Sequence, residues 1–484
     1  MALGVGTVAC ATEAEEDPVA AAGPPAAAGP GATTTDDGAD TDAPDTGTLA
    51  WTDCGGGNEC AELDVPVDYD DPDVDTLTLG IARVPAGGDR IGALFVNPGG
   101  PGVAASDYAV GLAASLPPEV TEHFDIVGVD PRGLGPSAID CGGDFVDLYS
   151  VDYSIDSPDD EETLLDVSQD YVDGCDAAAG DLLPHLGTQD VARDHDAVRA
   201  AMGDEQANFL MYSYGTAIAQ EYAELFPERV RSMVIDGVLE LGPSGIENAT
   251  DQALGFESAL DAFVADCNDD ESCAIAPDAE GAVDQLMAAV EEEEIPASPR
   301  DLGPGDLVLG MADALYSESL WPDLARATAD ALDGDGTTMV ALTDDYLSTG
   351  TFDVYFAVNC IDFTWPDSTE ELLADGRDVG EQAPHFGESL VNDYVRCPIW
   401  PAEGEPLDEV TATGTPPILV VGTTNDPATP YAAAQRTAER LDDGVLLTYE
   451  GEGHGVVASG VSCIDDAVAT YIVDLEPPPE GTTC

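Results

Sequence analysis

The stretch NFLMYSYGTAIAQEYAELFPERV, residues 208–230, places an apolar run, a serine and a helical pattern in one short segment. Asn208 to Ser213 reads as a buried strand. From Tyr214 to Phe226, Ala217, Ile218, Tyr222 and Leu225 fall on one face of a helix. Gly215, two residues after Ser213, gives the room a sharp turn between them needs. Any α/β protein can contain a strand, a turn and a helix. A serine held on the turn is a stronger arrangement, because the helix N-terminus then points its amides and its dipole at the serine oxygen.

Working outward, LTLGIARVPA, IGALFVNPGGPG, HFDIVGVDPRG and VRSMVIDGV read as strands, and QDVARDHDAVRAAMG as a helix through Val191, Val198 and Met202. Strands alternating with helices argue for a mostly parallel sheet covered by helices. Between about Leu239 and Pro406 the strand pattern vanishes. QALGFESALDAFVADC, AEGAVDQLMAAVEEEE and PDLARATADALDG are helical there, and PPILVVGTTNDPATP and GVLLTYEGEGHG then restore strands before a last helix, IDDAVATYIVDL. The expected organisation is a first core part over 49–238, an inserted helical cap over 239–406 and a second core part over 407–484.

Apart from Val19, residues 11–48 are Ala, Gly, Pro, Thr and acidic residues, the composition of a disordered, self-repelling linker. Ahead of it, MALGVGTVAC resembles the end of a lipoprotein signal, with Cys10 after Ala9 as the lipidation candidate and a possible membrane tether. Thr7 stands where leucine is usual, and the basic and long apolar parts are missing, as for a truncated signal remnant.

The 484 residues carry 98 Asp+Glu against 13 basic residues, all arginine, for a net charge of −85. No basic stripe exists to meet phosphates, so nucleic-acid binding is excluded. Hydrophobic residues at 44% still provide for a large core. Acid spread along the whole chain with no lysine resembles proteins of halophiles, where molar salt screens self-repulsion. Ten cysteines follow Cys10 without any C-x-x-C spacing, which reads as disulfides in an extracellular or cell-surface protein. Short loops close most easily, so neighbours are expected to pair: 54–60, 141–175, 267–273, 360–397 and 463–484. Sequence alone leaves that connectivity open.

A nucleophilic serine needs a base, and the chain has five histidines. His123, His185 and His195 precede Ser213, and His385 lies in the helical insertion. Only His454 follows the resumed strands, in a glycine-flanked loop. The orienting acid is expected at the end of a strand between the two, where Asp426 stands. Glu452 competes, although it is close to His454 in sequence. Met211-Tyr212-Ser213-Tyr214-Gly215 then matches the G-x-S-x-G nucleophile elbow of α/β-hydrolases in its second glycine, with Met211 in the first position. The order Ser213, Asp426, His454 is the order of that fold's triad. The oxyanion donors are expected from Tyr214 and from Gly99 and Gly100 of NPGGPG.

NPGGPG, the DPRGLGPS loop at Asp130–Ser137, SYGT at Ser213, GTTNDPATP and GHG together resemble tripeptidyl aminopeptidase-like α/β-hydrolases, secreted relatives of proline iminopeptidases. WTDC, CAELDVPVDY and the final cysteine-bearing stretch extend the resemblance over about Leu49 to Cys484. Met211 departs from that family's glycine. The resemblance implies a serine exopeptidase that removes di- or tripeptides from the free N-terminus of peptides, with acidic lid groups binding the amine. A secreted carboxylesterase uses the same triad and is the alternative. A surface binding protein that merely kept the fold is disfavoured by the complete set of site residues. No metal motif or cofactor fingerprint is present, so none is expected. The oligomeric state is not legible.

Overall fold

The computed structural model describes residues 48–484 apart from 144, 156 and 349. Cys10 and nearly all of the expected linker lie outside the described residues.

Ten strands form one sheet: β1 (Thr52–Gly55), β2 (Asn58–Pro66), β3 (Thr76–Val84), β4 (Gly92–Asn97), β5 (Phe124–Val129), β6 (Ala207–Tyr212), β7 (Val230–Asp236), β8 (Ile418–Asn425), β9 (Gly444–Glu452) and β10 (Thr482–Thr483). Their spatial order is β1-β2-β3-β5-β4-β6-β7-β8-β9-β10. The ladders from β5 through β10 are parallel, and β1, β2 and β3 enter antiparallel. This is the α/β-hydrolase architecture. β4, β5 and β6 are buried along their whole length because helices cover both faces of a parallel sheet. That is why they read as unbroken apolar runs. β2 alternates between buried and exposed toward its end and gives a weaker signal. The β1–β2 hairpin, tied by Cys54–Cys60, and the two-residue β10 were not evident in the sequence pattern.

Thr188–Met202 and Gly215–Leu225 form the expected helices beside β6 and pack against one another. Between β7 and β8 the regular elements of the described residues are helices, with a single isolated bridge, Ile295–Leu302, and an irregular stretch over 400–417 leads into β8. Gly245–Asp269 opens this segment with a capping box, in which Ser244 and Glu247 satisfy each other's backbone amides. Ala279–Glu292 and Trp321–Leu332 follow the expected periodicity. Pro304–Leu315, Thr337–Leu347, Phe352–Asp362 and Thr369–Gly380 are additional helices. Phe256, Phe263, Leu286, Leu307, Met311 and Leu324 build a core for this segment apart from the sheet's own. Each such side chain contributes about 1.5–3 kcal/mol on burial.

All five disulfides join sequence neighbours, as expected from loop length: Cys54–Cys60, Cys141–Cys175, Cys267–Cys273, Cys360–Cys397 and Cys463–Cys484. Among the described residues no helix is long and apolar enough to cross a membrane.

Candidate active site

Ser213 follows the last residue of β6 and has φ of +53°, in the left-handed region. A serine there costs about 1–3 kcal/mol of backbone strain, so the surroundings must hold it. Its N–H donates to the Asp236 carbonyl at the end of β7 (3.0 Å), and its carbonyl accepts from the Thr216 N–H (2.9 Å) and from the Thr216 hydroxyl (2.6 Å). Two glycines allow the turn to pack. A Cβ on Gly99 would lie 2.6 Å from the Ser213 Cβ, and one on Gly215 would lie 2.9 Å from Asn97 Oδ1. Met211, in the place of the motif's first glycine, is fully buried in the core of the sheet and takes no part in this close approach.

His454 and Asp426 come from the loops after β9 and β8. His454 Nδ1 lies 2.8 and 3.0 Å from the two Asp426 carboxylate oxygens. A proton on Nδ1 therefore donates to Asp426 and leaves Nε2 as the basic nitrogen. Asp426 is itself held by N–H donors from Ala428 (3.0 Å) and Thr429 (2.9 Å). Burial draws the His454 pKa down, but the charge and hydrogen bond of Asp426 outweigh it and leave the pKa raised. Glu452, the competing acid, is instead paired with the Asn425 side-chain amide. His195 is buried against the Val191 carbonyl (2.8 Å), and His123 faces the Asp89 carbonyl (3.0 Å).

Of the three expected oxyanion donors, Gly99 already gives its N–H to Asn97 Oδ1 (2.8 Å). Its part is the close approach to Ser213. Gly100 and Tyr214 border the cavity at Ser213. The Tyr214 hydroxyl is joined to Thr188, which donates from its own hydroxyl to Asp362 (2.5 Å).

That cavity encloses about 720 Å³ including its open mouth, and its walls come from both parts of the chain. Gly100, Ser213 and Thr429 line it from the strand ends, and Gln252, Tyr316 and Tyr355 from the helical segment. Tyr316 also reaches the candidate base. Its carbonyl accepts the His454 backbone N–H (3.1 Å), and its ring stands edge-on to the imidazole at 5.4 Å. Gln252, Tyr346 and Tyr355 are shared with a second chamber lined by Tyr149, Tyr153, Phe352 and Asp393.

A family model described as TAP-like protein matches residues 383–484. The serine protease Hip1 of Mycobacterium tuberculosis is 37% identical over 456 residues, covering 89% of this chain and 88% of that protein. Carboxylesterase B of the same organism is 34% identical, covering 88% and 86%. The tripeptidyl aminopeptidase of Streptomyces lividans is 30% identical, covering 88% and 83%. The chain belongs to the TAP-like α/β-hydrolase family. The protein is therefore a serine hydrolase.

Other parts of this TAP-like hydrolase that stood out in the sequence have structural partners. Arg132 of the DPRG loop is fully buried and donates to both Asp194 oxygens (2.8 Å each) and to the carbonyls of Pro66, Val67 and His185. It clamps the loop after β5 to the Thr188–Met202 helix and does not line the cavity at Ser213. Among the described residues one group of possible metal ligands gathers, Cys141, Cys175 and Asp353, and its two sulfurs are joined to each other as a disulfide. Two contacts to His454 escaped sequence reading: Tyr316, and the Thr429 hydroxyl at 3.3 Å from Nδ1. Thr429 sits in GTTNDPATP, three residues after the expected acid, and that spacing is the only signal the sequence offers for it.

Proposed function

We propose that this TAP-like hydrolase is a serine aminopeptidase that releases di- or tripeptides from the free N-terminus of peptides. Ser213 Oγ attacks the scissile carbonyl as His454 Nε2 takes its proton, and Asp426 stabilises the imidazolium. The N–H groups of Tyr214 and Gly100 receive the oxyanion. Collapse breaks the C–N bond, and the leaving amine takes the proton back from His454. Water, deprotonated by His454, then hydrolyses the acyl-enzyme.

One observation carries the exopeptidase reading. The chain has 98 acidic residues. Yet Asp393 is the single carboxylate among the residues lining the two joined chambers, and Ser213 lines only the other one. A lone lining carboxylate, held on one oxygen by Arg396 (3.1 Å) and set apart from the nucleophile, suits a free amine at the end of a short peptide. Burial raises the Asp393 carboxyl to about 6, with Arg396 opposing, so it is ionised at neutral pH and above. The similarity to a tripeptidyl aminopeptidase supports the same reading.

A tripeptide 4-nitroanilide with a free amine and its N-acetyl twin test this. The free form should be cleaved at least tenfold faster. Equal rates would favour the carboxylesterase reading, for which the similarity to carboxylesterase B speaks. The five disulfides support an exported enzyme. A lipid tether at Cys10 and a saline habitat belong to the same proposal.

A further inference from the structure

Asp236 ends β7 and is completely buried. A carboxylate out of water normally collects enough donors to offset its lost hydration. This one collects them from one direction only. Its Oδ2 accepts the N–H groups of Val456 and Val457, both at 2.7 Å, in the loop that follows His454. Its Oδ1 has no hydrogen-bond partner. The same residue's backbone carbonyl accepts the Ser213 N–H at 3.0 Å. The next residue, Gly237, is so close to the imidazole that a Cβ there would lie 2.9 Å from His454 Cε1. Asp236 thus holds the nucleophile turn with its main chain and the base loop with its side chain. Tyr212, next to Ser213, adds a second tie by donating from its hydroxyl to the Val457 carbonyl (3.3 Å).

We infer that Asp236 is a positioning residue that locks Ser213 and His454 into one frame and lends its negative charge to the imidazolium formed during acyl transfer. This rests on the Ser213–His454 reading above. A half-satisfied buried carboxylate is a poor structural element, because a neutral amide of the same shape would accept both N–H groups without burying charge. The charge gains a purpose only when a positive charge appears beside it. Burial raises Asp236 to about 6, against the two backbone N–H groups and His454, which pull it down. In turn, its charge adds to that of Asp426 in holding the His454 pKa up. Tyr108, Tyr212 and Asp426 face Asp236 from the neighbouring elements, and Asp465 lies beyond Tyr212.

The test measures kcat/KM for 4-nitrophenyl butyrate from pH 5 to 9, with melting curves, for wild type, D236N, D236A and S213A. D236N keeps the shape and removes the charge. Its acid limb should move to lower pH by about half a unit, because His454 loses a charge that favours its protonated form. D236A also frees the base loop and should lower kcat by about 10²-fold with KM within threefold, the scale of a small misplacement. A D236N acid limb that coincides with that of wild type overturns the inference, whatever D236A does. A D236N variant with a lowered Tm and an unmoved limb would make Asp236 structural only, which overturns it equally. S213A separates the two levels: if it still hydrolyses the ester, the nucleophile assignment fails. An inactive S213A beside an unmoved D236N limb removes Asp236 alone.

Discussion

β4, β5 and β6 are buried along every residue, whereas Gly245–Asp269, Ala279–Glu292 and Trp321–Leu332, between β7 and β8, bury one stripe each. In the sheet, the polar groups of the site stand at the carboxyl ends of strands or just beyond them: Asn97, Ser213, Asp236, Asp426 and His454. In the helical segment ionisable side chains pair with one another, mostly with near neighbours in sequence. Arg300 meets Asp306 at 2.6 Å, Arg396 meets Asp393 at 3.1 Å, and His385 meets Glu257 at 2.5 Å. The contrast teaches a division of labour. The sheet presents the proposed reacting groups at positions fixed by strand order, and the helical segment lines the cavity they open into.

If that division holds, the largest losses follow from changes at the strand ends. Asp426→Asn should lower kcat by about 10⁴-fold by favouring the wrong His454 tautomer, while far-UV circular dichroism stays unchanged. Gly99→Ala adds a Cβ 2.6 Å from that of Ser213 and 2.9 Å from the Tyr214 nitrogen, at a φ of +101°. It should lower kcat by about 10²-fold, read from steady-state rates. A Gly99→Ala enzyme of full activity would show that the elbow tolerates far more movement than its packing implies.

The two regions also differ in how much the sequence could say about them. Unbroken apolar runs and glycine turns announce strands and their ends, and the order of Ser213, Asp426 and His454 then selects three residues from a chain rich in acids. Local pattern cannot show that Asp236 spans from β7 to Val456 and Val457, because that contact joins residues 220 and 221 positions apart. Tyr316 is likewise far from His454 in sequence. Gly99 looked like a donor because glycine loops expose amides, but the Asn97 side chain two residues earlier takes its N–H. Two of the helices missed in the inserted segment, Pro304–Leu315 and Phe352–Asp362, are buried nearly all round, so they lack the one-sided periodicity that marks an amphipathic helix.

Salt should sharpen the comparison at a smaller scale. With a net charge of −85, like charges repel over about 10 Å at 0.1 M salt, and molar salt shortens that reach to roughly 3 Å. Tm and the hydrolysis rate should both rise between about 0.1 and 2 M sodium chloride, the rate severalfold, since screening relieves the self-repulsion of a chain this acidic. Flat curves would remove the saline-habitat reading.

The smallest effect belongs to the helical segment alone. His385 bridges Glu257 and Asp284, and the Glu257 hydrogen bond leads in raising its pKa to about 8 from an ordinary value of 6.5. The stability from this link is fully present below about pH 6.5 and is lost as pH rises through about 8. It amounts to about 1 kcal/mol once screening at the exposed Asp284 end is allowed for. Calorimetry from pH 6 to 9 should show a falling Tm in wild type and a flatter profile in His385→Gln. Equal slopes would mean the bridge contributes nothing.

The central claim is that Ser213, held at the end of β6, carries the chemistry. Treating the folded enzyme with a phosphonofluoridate and mapping the adduct by peptide mass tests this most directly. One adduct is expected, on Ser213, formed at a rate that falls in parallel with hydrolysis in Asp426→Asn and absent from Ser213→Ala. An adduct on any other serine that tracks the loss of activity, or labelling that persists in Ser213→Ala, would contradict it.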